Sequence, residues 1–346
     1  MKRLYILLFC FCSLLLQAQN HKVLFIGNSY TQVNDLPQLV SNVLGNGSAE
    51  YSMSSSTPGG CTFQNHLTQS ASYIQQGGWD YVVLQEQSQL PSFPDSQFYS
   101  ESYPYAQQLC EMIRTYNPNA QIIFYMTWGR ENGDQQNCQY FPPLCTYEGM
   151  DSLLRLRYMI MAEDNNAVVS PVGALWHYIR KHYPDIELYQ SDESHPSLVG
   201  SYAAACSFYT LLTQDKPTQI VANCGVEESV AQIIRDCAKI VVYDSLDYWM
   251  FRNIIDTTGV ESFDNNPTVI LYPNPVSQTL SLDVSSAQLQ NYDIKIYDAN
   301  GILCGQYLNN TSVSNDYDVS FLKSGIYFLV IYSDNKQITA KKFLKN

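Results

Sequence analysis

From His21 to about Ser245 the chain alternates short apolar runs with longer amphipathic segments. The runs at 22–26, 81–84, 121–126 and 167–169 have the length and flanks of strands, and 51–55 is a weaker fifth. Between them, apolar residues recur at helical spacing over 36–44, 63–75, 105–116, 147–162, 172–183, 198–213 and 228–243. Strand and helix in steady alternation predict βα units around a parallel sheet, here an α/β fold in three layers, α/β/α and doubly wound.

The texture changes at "DTTGVESFDNNP", residues 256–267, which is polar and without apolar period and reads as a linker. Beyond it, "TVILYPNPVSQTLSLDV", "YDIKIYDANGILCGQYL", "YDVSFLKSGIYFLVIYS" and "KQITAKKFLKN" are β-rich runs broken by Asn-Gly, Ser-Gly and Asp-Asn turns. They predict a small C-terminal β-sandwich of 268–346, separate from a first domain of 19–255.

The first eighteen residues stand apart from both. Lys2 and Arg3 precede the apolar run 4–16, and Ala18 ends it, which is the layout of a secretory signal peptide. The run is too short for a membrane span, and no later stretch reaches the roughly 18–20 apolar residues one needs. Eight cysteines follow the signal. In an oxidising compartment the sequence neighbours Cys138 with Cys145 and Cys224 with Cys237 are expected local disulfides, though seven cysteines precede the tail and an odd number leaves one unpaired. No C-x-x-C or H-E-x-x-H occurs, so neither a metal nor another cofactor is expected. The formal charge of -13 argues against nucleic acid or an anionic membrane as partner.

Ser29, in "FIGNSYT", falls where the first strand gives way to a helix. Ligands of doubly wound sheets collect there, outside the carboxyl ends of the strands. A serine hydroxyl needs a base to take its proton and a third group to orient that base. "DESHPS" offers both: Asp192 lies three residues before His195 in a turn that leads into a helix. Oxyanion donors are to be sought in "STPGG", where Gly60 follows the second strand, and in "LQEQS", where Gln85 follows the third, with Gln87 in reserve. Taken singly, each has a plainer reading, as a helix cap, a turn or a solvated loop.

The ordered set resembles the SGNH (GDSL-like) hydrolases, α/β esterases and lipases of flavodoxin-like topology. "FIGNSYT" matches the first block, "PGG" the second, "DYVVLQEQS" the third and "DESHPS" the fifth, over residues 22–213. The resemblance implies a serine hydrolase of ester bonds with Ser29, Asp192 and His195 as its triad and Ser29, Gly60 and Gln85 at the oxyanion. Asn28 stands where the family more often has Asp, and the family's hole Asn has no counterpart; glutamine at this place resembles sialate and acetylxylan esterases. The implied substrate is a small acyl ester, acetyl on a glycan before a long-chain lipid. The rival class is a glycan-binding protein on a degenerate hydrolase fold.

Two further features bear on substrate. "MTWGRENGDQQNCQYFPPLCTYEG" (126–149) is a long loop after the fourth strand, where Trp128 and Tyr140 offer either sugar-stacking faces or packing, and His66 is expected on a helix surface. The C-terminal unit, through "YPNP", "YDANG", "LKSGIYFLVI" and "KKFLK", resembles the type A sorting domain of the type IX secretion system. That resemblance implies the type IX secretion machinery as partner and a secreted or cell-surface location.

Overall fold

The computed structural model describes residues 19–45, 49–251, 269–272, 276–284, 292–298, 303–310, 316–333 and 336–345. The expected signal peptide and linker lie outside them. The chain divides into two compact units, one reaching Phe251 and the other starting at Arg252.

In the first unit, strands Gln19–Ile26 (β1), Ala49–Ser56 (β2), Tyr81–Leu84 (β3), Gln121–Tyr125 (β4) and Val168–Ser170 (β5) form one parallel sheet in the order β2-β1-β3-β4-β5. Among the described residues eleven α-helices accompany them: Ser29–Gln32 (α1), Leu36–Leu44 (α2), Phe63–Gln69 (α3), Ala71–Gln75 (α4), Asp95–Glu101 (α5), Tyr103–Tyr116 (α6), Tyr147–Asp164 (α7), Val172–His182 (α8), Leu198–Thr213 (α9), Glu228–Ala238 (α10) and Leu246–Trp249 (α11).

Successive strand side chains point to opposite faces, and here both faces are covered, so the inner strands are apolar without interruption. Val23 and Phe25 of β1 face a core with α2, α8, α9 and α10, whereas Leu24 and Ile26 face another with α3, α6 and α7. This is the expected three-layer α/β/α sheet. The edge strand β2 pairs along its whole length with β1, from Gln19↔Ala49 to Ile26↔Ser56. Ser52 and Ser55 are exposed, which is why its apolar signal is weak.

Helices α5 and α11 were not expected, and two of the expected helices are altered. The segment 63–75 breaks at Ser70, whose hydroxyl is drawn into a buried network described below. The last turn of 228–243 widens over Lys239–Tyr243, where Asp244 N–H bonds back to the Lys239 carbonyl.

The second unit contains Val269–Tyr272 (β6), Thr279–Val284 (β7), Tyr292–Asp298 (β8), Leu303–Asn310 (β9), Asp316–Asp318 (β10), Gly325–Ser333 (β11) and Lys336–Lys345 (β12). They form two antiparallel sheets, β10-β7-β6 and β12-β11-β8-β9. Leu280, Leu282, Ile294, Ile296, Leu329, Ile331 and Phe343 share one buried core, as a sandwich requires.

Candidate active site

Register brings three strand ends level. Ile26 of β1 pairs with Ser56 of β2 and with Leu84 of β3, and the ladder continues one step further through Gly27 N–H to the Ser56 carbonyl and Gln85 N–H to the Ile26 carbonyl. The loops carrying Ser29, Gly60 and Gln85 therefore leave the sheet side by side, at the switch point where strand order reverses.

Ser29 opens α1. Its turn is fixed by Asn28, whose Oδ1 caps Tyr30 N–H at 3.1 Å while its Nδ2 donates to the Cys61 carbonyl at 3.0 Å. Asn28 thus ties the serine turn to the glycine loop. Gly27 has to be small, because a Cβ there would sit 2.6 Å from both Gln85 Oε1 and Thr31 Oγ1.

The histidine comes from a tight turn after residue 189. Asp192 Oδ1 accepts the backbone N–H groups of Ser194 and His195 at 3.1 and 2.9 Å, Gln190 N–H reaches the His195 carbonyl at 2.8 Å, and Glu193 takes φ 60° to close the turn. His195 Nδ1 lies 2.5 Å from Asp192 Oδ2, and its Nε2 lies 2.8 Å from Ser29 Oγ. The carboxylate fixes the tautomer: Nδ1 donates to it, and Nε2 is left as acceptor for the serine hydroxyl. Partial burial works against the Asp192 carboxylate, but hydrogen bonds from His195 and Ser194 outweigh it and hold its pKa below the ordinary value. Ser29 is half-buried, and the His195 side chain is 30% exposed, so the pair is open to a ligand.

Gly60 has φ 67°, a conformation only glycine adopts freely, and a Cβ there would meet nothing within 4 Å. The residue is exposed. Gln85 corrects an expectation. It is fully buried, its Oε1 accepts Asn28 N–H at 3.0 Å and the Thr31 hydroxyl at 2.9 Å, and its Nε2 donates to Asn28 Oδ1 at 3.0 Å and to the Glu86 carbonyl. Both amide hydrogens are spent, so Gln85 locks Asn28 instead of facing an oxyanion. Gln87 is only part-buried, and its Nε2 makes one described bond, to Gln89 Oε1 at 3.1 Å.

Tyr30 and Trp176 are supporting residues that the sequence did not single out, and Trp128 takes the packing role, one of the two expected of it. Tyr30 stacks on Trp128 with centroids 4.9 Å apart, and Trp128 stacks on Trp176 at 3.7 Å. Trp128 is fully buried, and its Nε1 donates to the Ser194 carbonyl at 3.1 Å, so it props the histidine turn and has no face left for a sugar. Tyr140, by contrast, is 77% exposed. His66 is likewise buried, not on the surface: Nε2 donates to the Gly27 carbonyl at 2.9 Å, and Nδ1 lies 2.7 Å from the Ser70 hydroxyl, which meets Ser56 at 2.9 Å. The long loop is closed by a Cys138–Cys145 disulfide and touches the histidine turn through Glu131 N–H to the Glu193 carbonyl at 2.9 Å. Cys224 and Cys237 are free: Cys237 is buried inside the helical core, whereas Cys224 is part-exposed. Among the described residues no three His, Cys, Asp or Glu side chains are grouped to hold a metal ion, and no helix is long and apolar enough to cross a membrane.

A known structure shares the fold. A DUF4886 family protein from Bacteroides uniformis superposes with TM-score 0.54 at 19% identity, over 67% of this chain and 96% of its own. A protein from Slackia heliotrinireducens described as an SGNH hydrolase aligns at TM-score 0.46 and 24% identity over 57% and 100% of the two chains. An acetylxylan esterase from Geobacillus stearothermophilus aligns at 0.42 and 18% over 55% and 93%. No curated protein sequence matches the chain. Residues 270–346 match the family model of the secretion system C-terminal sorting domain, and this part of the chain is such a domain.

Proposed function

We propose that the protein is an exported serine esterase that cleaves short acyl esters, acetyl groups on polysaccharides foremost. The observation that carries this reading is the unbroken chain Ser29 Oγ, His195 Nε2, His195 Nδ1, Asp192 Oδ2, at 2.8 and 2.5 Å, on the open edge of the sheet.

His195 takes the proton from Ser29 as the hydroxyl attacks the ester carbonyl, and Asp192, kept ionised, stabilises the imidazolium that forms. The tetrahedral oxyanion is held by Ser29 N–H and Gly60 N–H, with the Gln87 amide in the role first expected of Gln85. His195 then protonates the leaving alcohol, and a water activated by the same nitrogen releases the acid. The C-terminal sorting domain supports passage through the type IX secretion machinery to the surface or medium, where glycan esters are accessible.

The test is a series of p-nitrophenyl esters of rising chain length beside acetylated xylan. Turnover that peaks at acetate, releases acetate from the glycan and vanishes in Ser29→Ala supports the reading. A preference for long acyl chains overturns the substrate, and equal rates for wild type and Ser29→Ala overturn the mechanism.

A further inference from the structure

One residue beyond Gln85, the chain buries a carboxylate. Glu86 is fully enclosed, and among the described residues no Lys or Arg pairs with it. Its Oε1 accepts Phe63 N–H at 2.8 Å and Gln87 N–H at 2.7 Å, and its Oε2 accepts the Ser102 hydroxyl at 2.8 Å. Its backbone is equally committed. The N–H donates to the Tyr158 hydroxyl at 3.2 Å, and the carbonyl accepts from Asn28 Nδ2 at 3.4 Å and from Gln85 Nε2. One residue therefore contacts the serine turn, the glycine loop, the glutamine loop and helix α7.

Enclosing a carboxylate with no counter-charge is costly, and a glutamine would satisfy the same neighbours. The Oε1 of a glutamine would accept both N–H groups and its amide would donate to Ser102, but through neutral bonds only about half as strong as those to a carboxylate. A titratable carboxyl enclosed in this way, bonded to Phe63 N–H three residues after Gly60 and to the N–H of Gln87, points to the site and not to the core.

We propose that Glu86 is a positioning residue of the Ser29 site, whose carboxylate draws the glycine loop and the glutamine loop together so that Gly60 and Gln87 face one oxyanion. The role rests on the serine-esterase reading above. The titratable groups facing Glu86 are Cys61 and Tyr158. Burial lifts the Glu86 pKa to about 7, with the bonds from Gln87, Phe63 and Ser102 pulling the other way. As pH falls through that range the carboxylate gains a proton, one of its oxygens turns from acceptor to donor, and its hold on the loops weakens.

The experiment uses the full chain with Glu86→Gln and Ser102→Ala, and reads kcat and KM for p-nitrophenyl acetate across pH, melting temperature, and amide exchange at Phe63 and Gln87. In Glu86→Gln, kcat at pH 8 falls about 10- to 100-fold, as for a misplaced donor, while KM stays within about twofold. The acid limb of its profile loses one proton of slope, exchange at both amides quickens, and the melting temperature at pH 8 equals or exceeds wild type. Ser102→Ala moves the acid limb to higher pH, because the carboxylate has lost a donor. Wild-type kcat and an unchanged limb in Glu86→Gln overturn the proposal, as does a fall in kcat matched by a fall in melting temperature with the limb unmoved. If wild type turns over no ester and Ser29 is inert to a fluorophosphonate, the esterase reading fails, and unchanged amide exchange is then what overturns the clamp.

Discussion

His66 gives the fold a pH dependence that can be isolated. In the unfolded chain it takes a proton near pH 6.5, but burial lowers its pKa in the fold to about 4. The stability it supports is complete above pH 6.5 and is lost as pH falls from 6.5 to 4. At 1.36 kcal/mol per tenfold in proton affinity, that is about 3 kcal/mol. Glu86 works in the opposite sense. Its pKa rises from 4.5 to about 7, so its burial penalty is full above pH 7 and is relieved as pH falls to 4.5. The two nearly cancel in wild type, and a single stability curve hides both.

Replacing His66 by Gln separates them, because a glutamine amide can keep the donor on the Gly27 carbonyl and does not titrate. Urea unfolding followed by tryptophan fluorescence suits the comparison, since all four tryptophans, Trp79, Trp128, Trp176 and Trp249, lie in the first unit. The stability gap between wild type and His66→Gln should be largest at pH 8 and shrink by about 3 kcal/mol at pH 4. A gap that stays constant across that range refutes the assignment of His66 as a neutral, buried prop of the serine turn.

Three further substitutions separate the parts of the site. Gln87→Ala should lower kcat about 100- to 1,000-fold with KM little changed, whereas Gln85→Ala should cost stability by unlocking Asn28; steady-state kinetics beside melting curves sort them. Trp128→Phe keeps the stacked ring but leaves the Ser194 carbonyl unpaired, so about 1–3 kcal/mol of stability should go, measured by urea unfolding, with kcat falling more than KM rises.

The sheet, and the meeting of Asp192 with His195, were legible because each rests on a local signal. Strands buried on both faces are apolar without a break, and Asp192 to His195 is a single turn that builds its own hydrogen bonds. What failed depends on partners distant in sequence. Gln85 looked like a free amide at a strand end, but Asn28 and Thr31, 57 and 54 residues earlier, share its Oε1, and Asn28 and the Glu86 carbonyl take its two amide hydrogens. His66 sits on a seven-residue helix too short for its pattern to show which face is buried. Cys224 and Cys237 are close in sequence, yet the helix start between them sends Cys237 into the core, and spacing alone carries no information about that direction. Glu86 gave no warning at all, since a carboxylate after a strand is ordinarily solvated.

The central claim is that His195 makes the Ser29 hydroxyl a nucleophile, and covalent labelling tests it most directly. A fluorophosphonate given to the folded chain should add one phosphonyl group, mapped by peptide mass to Ser29, with labelling slowed by orders of magnitude in His195→Ala. Folded protein that stays unlabelled, or that reacts equally fast without the imidazole, would contradict the account.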